Sequence, residues 1–565
     1  MSLMLKAIPA APGIALGKVF WLREELFEIA PRAADPLQEG ARLEQARSRV
    51  RASIQKVRDS LQAHPEEAAI FEAHLLMLDD PDLLDLAGAR LTQGAEYAWD
   101  TAIQGYAGQI ESLADEYLRA RAADVRDVGR QVLRVLLGKP AADLSDLPEP
   151  VILLARDLTP SDTGRLDRSR ILGFATQEGT STAHTAILAR TLGLPAVVGC
   201  GASLAEIPQG ALVALDGLQG TLLLDPDAGA RAEVLSRQAR EQAQKAVQLA
   251  EAGREAVTTD GRRVEMAANV GRLEDVAPAL AHGAEGVGLL RTEFLYMERR
   301  TPPDEAAQLL AYRAILALME KRPVVIRTLD IGGDKYPAYM DLGQESNPFL
   351  GWRAIRVCLE RPDFFKTQLR AILRAAAGHD VRIMFPMIAT LDELRQAKSL
   401  LAEASRESGV TGPVQVGMMV EIPSVVQMAD RFAAEVDFFS IGTNDLTQYT
   451  FAADRTNPKV AGLAEAIHPA ILRQIRTVIE AGHSQGKWVG VCGELAGDSD
   501  AVPILLGLGL DEFSMSAAAL PSAKEAVRRW SMPAARQLAE ETLALESAAQ
   551  VRQLVHERSA ALFPG

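Results

Sequence analysis

Arginine side chains are the first candidates for chemistry in this sequence. Arg291 lies in Gly-Leu-Leu-Arg-Thr-Glu-Phe, Arg327 lies in Ile-Arg-Thr-Leu-Asp-Ile-Gly-Gly-Asp-Lys, and Arg353 and Arg455 lie in later loops. A guanidinium group binds phosphate or carboxylate through two parallel hydrogen bonds. Exposed arginines are common, so each one taken alone also fits a surface salt bridge. As a group, they predict a site for a small and highly anionic substrate.

Two carboxylates follow consecutive apolar runs in the second half of the chain. Glu421 lies in Val-Glu-Ile-Pro-Ser, and Asp445 follows Asn444 in Gly-Thr-Asn-Asp-Leu-Thr-Gln-Tyr. Magnesium is typically bound by one or two carboxylates, while substrate oxygens and waters complete its coordination. The alternative is a structural ion pair with a neighbouring arginine, and the position at consecutive strand ends makes that alternative weaker. Glu421 and Asp445 therefore predict a Mg2+ site.

A third candidate is Cys492, which lies in Val-Cys-Gly-Glu-Leu-Ala-Gly-Asp at the end of an apolar run. A thiol has an ordinary pKa of about 8.5 and can donate a proton near neutrality. A free cysteine is more often a small buried apolar residue, and this interpretation suits Cys200 and Cys358. Three scattered cysteines do not make a disulfide framework or a zinc site, and they fit a reducing, cytoplasmic compartment.

His184 is the candidate nucleophile. It lies in Gly-Thr-Ser-Thr-Ala-His-Thr-Ala-Ile-Leu-Ala-Arg, where a small polar loop leads into an apolar helical stretch. Amide groups at a helix N-terminus favour a bound anion and disfavour a protonated imidazole, which leaves the neutral ring as a nucleophile. A lone histidine is more often structural, but no other histidine of this chain has a comparable setting.

The elements that must position the later residues alternate between strands and helices. Eight apolar runs predict strands, and eight strand–helix units in about 300 residues match a (β/α)8 barrel. The arginines, acids and Cys492 lie at or just past the predicted strand ends, where such barrels carry their active sites. The predicted strands are Val264–Asn269, Gly286–Arg291, Val324–Leu329, Arg382–Met387, Val416–Glu421, Asp437–Ile441, Trp488–Cys492 and Glu512–Met515.

The first half of the chain has a different pattern. Short extended segments are predicted over Leu5–Trp21, helices over Leu22–Leu137, and further strands from Val151 onward. Apolar residues recur every three or four positions in one of these helices, at Leu43, Ala46, Val50, Ile54, Val57 and Leu61. The pattern predicts a helical bundle inserted into a small α/β domain, followed by a connecting helix over Ala228–Ala256.

Charge and hydropathy limit the possible partners. The net charge of -15 argues against nucleic acid and is compatible with a basic protein. No apolar run of about 18 residues predicts a membrane span, and the N-terminus has no signal-peptide core. The stretch 66–85 has no Lys or Arg, and we expect it to dock a basic partner, although such a stretch is usually a solvated helix face. Its acids are Glu66, Glu67, Glu72, Asp79, Asp80, Asp82 and Asp85.

Taken together, these segments resemble Enzyme I of the phosphoenolpyruvate:sugar phosphotransferase system. The segment around His184, followed by Leu-Pro-Ala-Val-Val-Gly, is similar to the phosphohistidine segment of that family. Asn-Pro-Phe-Leu-Gly-Trp-Arg, the opening Ala-Pro-Gly-Ile-Ala-Leu-Gly and the barrel segments quoted above also look like family signatures. The resemblance covers essentially the whole chain in the family order. Thr180 and Ala183 depart from it, since the family usually has Gly and Ser there.

The resemblance implies a role for each position. His184 would be phosphorylated from phosphoenolpyruvate, Cys492 would protonate the enolpyruvate, and Glu421 and Asp445 would bind Mg2+. The substrate would be held by Arg291, Arg327, Arg353, Asn444, Asp445 and Arg455. The phosphoryl group would pass to the carrier protein HPr, docked near Glu66, Glu67, Asp79 and Asp80, and so initiate sugar uptake.

The implied domains are a phosphohistidine α/β domain over 1–21 and 144–227 and an HPr-binding helical domain over 22–143. A connecting helix over 228–258 leads to a TIM barrel over 259–565, which would bind phosphoenolpyruvate and form a homodimer. For His184 to reach the barrel, its domain would have to swing about hinges at the ends of the connecting helix.

Two other functions compete with this interpretation. Phosphoenolpyruvate synthase and pyruvate phosphate dikinase share the phosphohistidine domain and the barrel, but they need a nucleotide-binding domain of about 250 further residues. The first 145 residues lack a glycine-rich phosphate loop. A non-enzymatic scaffold that binds a carrier protein predicts loss of metal or substrate ligands, yet all of the expected ones are present. A paralogue devoted to nitrogen signalling would carry an additional N-terminal sensor domain.

Overall fold

The computed structural model divides the chain into two compact units, Met1–Gln242 and Ala243–Gly565. The residues that it describes are 4–22, 27–60, 65–112, 116–139, 147, 149–158, 170–179, 185, 189, 193–297, 299, 301–333, 336–337, 339–340, 343, 345–410, 412–455, 457 and 460–563. The predictions for Leu61, Thr180, Ala183 and His184 lie outside these residues, as do the side chains of Glu66 and Glu67.

The first unit contains an eight-stranded mixed sheet with the strand order β1-β8-β7-β3-β4-β5-β6-β2. Strands β3 to β6 run parallel to one another, and the remaining pairs are antiparallel. The bounds are β1 Met4–Lys6, β2 Ile8–Ala11, β3 Ile14–Leu22, β4 Val151–Ala155, β5 Ile171–Thr176, β6 Ala196–Val198, β7 Leu212–Asp216 and β8 Thr221–Leu224. The predicted return of the N-terminal segment to this sheet is confirmed.

A helical bundle is inserted between β3 and β4, which are neighbours in the sheet. Its helices are α1 Pro36–Ser60, α2 Pro65–Leu78, α3 Pro81–Gly88, α4 Ala95–Glu111 and α5 Glu116–Leu136. The side chains of Leu43, Ala46, Val50 and Ile54 are buried and pack around Trp99 in the bundle core. The periodic apolar face predicted for this part of the chain therefore faces the bundle. Helix α6, Ala228–Ala250, follows β8 and corresponds to the predicted connecting helix.

The second unit is a closed barrel of eight parallel strands, β9 to β16. The bounds are β9 Glu265–Val270, β10 Gly286–Leu290, β11 Val324–Arg327, β12 Val381–Phe385, β13 Gln415–Val420, β14 Phe438–Ile441, β15 Trp488–Val491 and β16 Glu512–Met515. All of the predicted barrel strands are present, with ends that differ by up to two residues. The predicted (β/α)8 fold is confirmed.

Helices surround the barrel and continue beyond its last strand. They are α7 Val276–Ala281, α8 Phe294–Met297, α9 Glu305–Met319, α10 Ile355–Glu360, α11 Pro362–Ala375, α12 Leu391–Ser408, α13 Pro423–Gln427, α14 Ala429–Ala433, α15 Thr443–Phe451, α16 Pro469–Ser484, α17 Ala501–Leu508, α18 Leu520–Arg529, α19 Met532–Leu543 and α20 Ala548–Leu562. A large apolar core lies between helices and strands, and a smaller apolar cluster contains Leu289, Val325, Met384, Met419, Phe438 and Cys492. Among the helices described, none is long and apolar enough to cross a membrane.

Candidate active site at the carboxyl ends of the barrel strands

The barrel brings the predicted site residues to the carboxyl ends of its strands. Arg291 follows β10, Arg327 ends β11, Glu421 follows β13, and Cys492 follows β15. Asn444 and Asp445 lie in the first turn of α15, directly after β14, while Arg353 and Arg455 come from loops. The carboxyl ends of parallel strands meet at one rim of a barrel, so residues far apart in sequence become neighbours there.

Asp330 bridges two buried guanidinium groups. Its Oδ2 lies 2.7 Å from Arg327 Nη1, and its Oδ1 accepts a hydrogen bond from Arg353 Nη2 at 3.0 Å. Arg327 Nη2 also donates to Glu293 Oε1 at 2.5 Å. Burial acts to raise the pKa of Asp330, but the Arg327 and Arg353 guanidinium groups outweigh it and hold that pKa below its ordinary value. Both arginines therefore stay charged and fixed in direction.

Asp445 and Glu421 lie beside this cluster. Asp445 Oδ1 is 3.5 Å from Arg353 Nη1 and 3.6 Å from Arg455 Nη1, and it has no hydrogen-bond partner among the described residues. Glu421 Oε1 accepts a 2.5 Å hydrogen bond from the backbone N–H of Met387, which has a left-handed φ of 55°. Burial, with the charges of Asp445 and Asp330, raises the pKa of Glu421 to about 8.

This donor set fits a divalent cation that is only partly bound by protein. The charge of Asp445 disfavours ionisation of the buried Glu421 carboxyl group. The Asp445 Oδ1 atom, which is the oxygen nearest the arginines, accepts no hydrogen bond from the described residues. Within the described residues, no group of three or more His, Cys, Asp or Glu side chains is arranged to hold a metal ion. Glu421 and Asp445 are two carboxylates, a number that leaves coordination positions for substrate oxygens.

The Cys492 thiol is buried beneath the rim, 3% exposed, with Sγ 3.7 Å from the carbonyl oxygen of Ile441. Burial raises the pKa of this thiol to about 11, against a smaller opposite effect of the Ser440 hydroxyl. The thiol therefore keeps its proton at neutral pH. Asn269 Nδ2 donates to the Cys492 carbonyl oxygen at 3.0 Å and fixes the backbone there.

The remaining predicted residues differ in their exposure to solvent and in their contacts. Arg291 is exposed and has no ion pair in the part of the chain that the structure describes, while the Arg455 side chain is 41% exposed. The Asn444 Oδ1 atom accepts a hydrogen bond from the Glu494 N–H at 3.2 Å, so the Asn444 side chain joins α15 to the loop after β15. The rim thus has the exposed Arg291 and the partly exposed Arg455 as well as buried arginines that are already paired with Asp330.

Sequence reasoning missed three side chains of this site. Glu293 and Asp330 pair with Arg327, and the Tyr449 hydroxyl accepts from Arg353 Nη1 at 3.2 Å while donating to the Phe349 carbonyl at 2.5 Å. Their position in the sequence could have indicated two of them. Glu293 and Asp330 follow Arg291 and Arg327 within three residues, just past the ends of β10 and β11.

Models of three phosphoenolpyruvate-utilising enzyme domains match the chain: the N-terminal domain over residues 6–121, the mobile domain over 147–220 and the phosphoenolpyruvate-binding domain over 245–532. A phosphoenolpyruvate-protein phosphotransferase of Geobacillus stearothermophilus is 48% identical over 98% of this chain and 97% of its own. The protein of that name from Bacillus subtilis (strain 168) is 45% identical over 98% of this chain and 99% of its own.

The chain belongs to the phosphoenolpyruvate-protein phosphotransferase family. It is an enzyme of phosphoenolpyruvate-dependent phosphoryl transfer in the phosphotransferase system, and the predicted family is confirmed. The dikinase and scaffold alternatives are therefore set aside.

In this phosphotransferase, the residue after His184 is Thr185, which the structure describes. Thr185 is buried, and its Oγ1 donates a hydrogen bond to Asp157 Oδ1 at 3.0 Å, just past β4. Gly179 precedes the segment with a φ of 109°, a conformation that favours glycine. His184 itself lies outside the described residues, so its role stays a prediction.

The acids predicted to dock a partner of this phosphotransferase have intramolecular contacts. Asp79 Oδ1 lies 2.7 Å from Arg47 Nη2 and 2.5 Å from Arg51 Nη2. Asp80 accepts the hydroxyl hydrogen of Tyr106 at 2.7 Å and caps the N-terminus of α3. The stretch 66–85 contains no Lys or Arg, but Arg47 and Arg51 of α1 pair with Asp79 in it. Asp79 and Asp80 therefore also stabilise the helical bundle.

Proposed function

We propose that phosphoenolpyruvate binds at the carboxyl rim of the barrel, with guanidinium groups on its phosphate and carboxylate oxygens. The observation that carries this proposal is the rim geometry, in which Asp330 joins Arg327 to Arg353 and Arg353 approaches Asp445. Fixed guanidinium groups favour a trianionic substrate without reorganisation, which is the main source of catalysis in phosphoryl transfer. Arg291 and Arg455, which are more exposed, would close on the substrate with Asn444 beside it.

Glu421 and Asp445 would hold a divalent cation, which we propose is Mg2+. The ion supplies charge neutralisation on the phosphoryl oxygens when it is bound. A cation held by these residues would also offset burial and the charge of Asp445, which raise the pKa of Glu421 to about 8. That relief supports the assignment of both carboxylates as ligands.

His184 is the proposed nucleophile. Its ring nitrogen attacks the phosphorus, the bond from phosphorus to the enol oxygen breaks, and the enolate of pyruvate remains at the rim. Cys492 then gives its proton to the methylene carbon, which makes pyruvate. The raised pKa of the buried thiol, about 11, supports this role because an acid must arrive protonated. The phosphoryl group finally passes to a histidine of HPr.

We further propose the domains as predicted: 1–21 and 144–227 for the phosphohistidine domain, 22–143 for HPr binding, 228–258 for the connecting helix and 259–565 for the barrel. The strand positions of the first unit and the closed barrel of the second support this division. HPr as carrier, docking at Glu66, Glu67, Asp79 and Asp80, and a homodimer through the barrel complete the proposal. Three free cysteines support a cytoplasmic location.

Two labels test this function. With 32P-labelled phosphoenolpyruvate and Mg2+, the full chain should acquire an acid-labile phosphate that is absent from His184→Ala and from samples treated with EDTA. His556→Ala, which changes an exposed histidine of the barrel unit, should label normally. In D2O, phosphoenolpyruvate labelled stereospecifically at C3 should give a chiral methyl group with the natural chain and a racemic one with Cys492→Ala. Label in His184→Ala, or a chiral product from Cys492→Ala, would contradict the assignment concerned.

A further inference from the structure

The inside of the barrel contains a row of polar and small residues below Cys492. Barrels of this kind are normally filled by bulky branched side chains. Here Ser440 of β14 is in register with Gly490 of β15, Gly490 with Glu512 of β16, and Glu512 with Glu265 of β9. Residues in register on adjacent strands have side chains on the same face of the sheet. The row therefore places a carboxyl group and a hydroxyl group on the two sides of a glycine.

Glycines make room for the Glu512 carboxyl group. A Cβ atom at Gly288 would lie 2.5 Å from Glu512 Oε1, and one at Gly490 would lie 3.1 Å from it. Glu512 is 2% exposed, and its Oε1 has no hydrogen-bond partner among the described residues. The carboxyl group thus fills the space beside Gly288 and Gly490. Across Gly490 in the same layer lies Ser440, whose buried hydroxyl also lacks a partner among those residues.

Glu512 carries a proton at neutral pH. Burial and the charge of Glu265 raise the pKa of Glu512 to about 8, and the preceding residue, Asp511, acts in the same direction. Arg382 of β12, with Nη1 3.8 Å from Glu512 Oε2, opposes them only in part. The pKa of Glu265 is raised as well, again mainly by burial. Glu512 is therefore a protonated reserve within the barrel.

The reserve lies directly below the thiol. Gly490 and Cys492 are two residues apart on one strand, so their side-chain positions share a face and are about 7 Å apart. The Ser440 hydroxyl lowers the pKa of the Cys492 thiol, and the Glu512 charge raises it. Both groups thus act on the thiol, and both belong to the interior layer next below it, on either side of Gly490.

We propose that Glu512 resupplies the proton that Cys492 gives to the enolate, with Ser440 as the relay between them. This inference rests on the proposed function of Cys492. When the S–H bond breaks and the C–H bond of pyruvate forms, a thiolate remains. The Ser440 hydroxyl gives its proton to the sulfur and takes one from Glu512. The net result is a new S–H bond and a Glu512 carboxylate, which Arg382 stabilises.

The order of acidities favours this direction. Glu512, with a pKa of about 8, is a stronger acid than the thiol, with a pKa of about 11, so the proton moves toward the sulfur. Glu265 is partly exposed at the first position of β9 and connects the reserve with solvent at the amino end of the barrel. Protons would then enter at one end of the barrel while substrate occupies the other.

The test separates the first turnover from later ones. With the full chain, HPr, Mg2+ and stereospecifically labelled phosphoenolpyruvate in D2O, Glu512→Gln should form its first equivalent of chiral pyruvate at the natural rate. Its steady-state rate of chiral pyruvate formation should fall about 10- to 100-fold, because the thiolate is no longer refilled. Ser440→Ala should show the same pattern. The difference in steady-state rate between the natural chain and Glu512→Gln should disappear as pH rises through about 8, because Glu512 then loses its proton.

A volume-conserving change in the barrel interior, Met384→Leu, is the matched control and should leave both phases unchanged. An unchanged steady state in Glu512→Gln, or equal slowing of its first and later turnovers, would overturn the relay. Neither result would affect the assignment of Cys492, which depends on the racemic product expected from Cys492→Ala. Chiral product from that variant would instead refute the proposed function.

Discussion

Asp330 accepts a hydrogen bond from Arg353 at 3.0 Å, although the two residues lie on either side of a long loop. The other oxygen of Asp330 pairs with Arg327 at 2.7 Å, so one buried carboxylate sets the direction of two guanidinium groups. The substrate site is therefore oriented by an acid that would not itself bind an anionic substrate.

Replacing Asp330 by Asn should weaken both folding and substrate binding. Two buried guanidinium groups would lose their shared counter-charge, which costs about 3–5 kcal/mol in comparable buried pairs. We expect a lower Tm of the barrel in calorimetry and a higher KM for phosphoenolpyruvate. Asp392→Asn removes an exposed acid from the same unit and should change neither quantity. An Asp330→Asn variant with natural Tm and KM would contradict the orienting role.

Gln368 of α11 should matter for catalysis although it bonds to none of the predicted site residues. Its Oε1 accepts from the Leu329 N–H at 2.9 Å, and its Nε2 donates to Thr292 Oγ1 at 3.1 Å and to the Tyr312 hydroxyl at 3.2 Å. Gln368→Met keeps the volume but leaves buried polar groups unsatisfied, at about 1–3 kcal/mol for each. Urea unfolding should show the loss, and KM should rise. The exposed Gln537→Met is the control, and equal stability of the two variants would refute the prediction.

Glu512 should make the barrel less stable as pH rises. Its folded pKa of about 8 lies above the ordinary value of 4.5, so the folded state holds a proton that the unfolded state has lost between these limits. The stabilisation is complete below about pH 4.5 and disappears as pH approaches 8. Between pH 5.5 and 7.5 the loss is about 2 kcal/mol. Glu512→Gln should show a smaller decrease in Tm over this range, and parallel curves would disprove the assignment.

The acidic stretch should divide into docking and structural residues. Asp82 and Asp85 are exposed, so replacing both by Lys should slow association with HPr, and high salt should abolish the difference. Asp79→Asn should instead destabilise the bundle by about 1 kcal/mol, because Arg47 and Arg51 lose a partner. Surface plasmon resonance at two ionic strengths and thermal unfolding measure these effects. Equal association rates of the natural chain and the double variant at low salt would contradict electrostatic docking.

The barrel was predictable from sequence because its strands are short apolar runs between helical segments, and Glu421 and Cys492 follow such runs directly. The pairing of Arg353 with Asp330 was not predictable, since it depends on the path of the loop that joins them. Glu512 was missed for another reason. A glutamate at the start of a strand normally faces water, and only the closure of the barrel around Gly288 and Gly490 makes a buried position for it.

The helical bundle lies between β3 and β4, which run parallel and adjacent. A parallel pair cannot be joined by a tight hairpin, because the chain must travel back along its full length before the second strand begins. The bundle uses this obligatory return path, so its size and surface can change without altering either strand. If the bundle docks the carrier protein as we propose, exchanging it for another return segment would change the protein acceptor and leave the sheet intact.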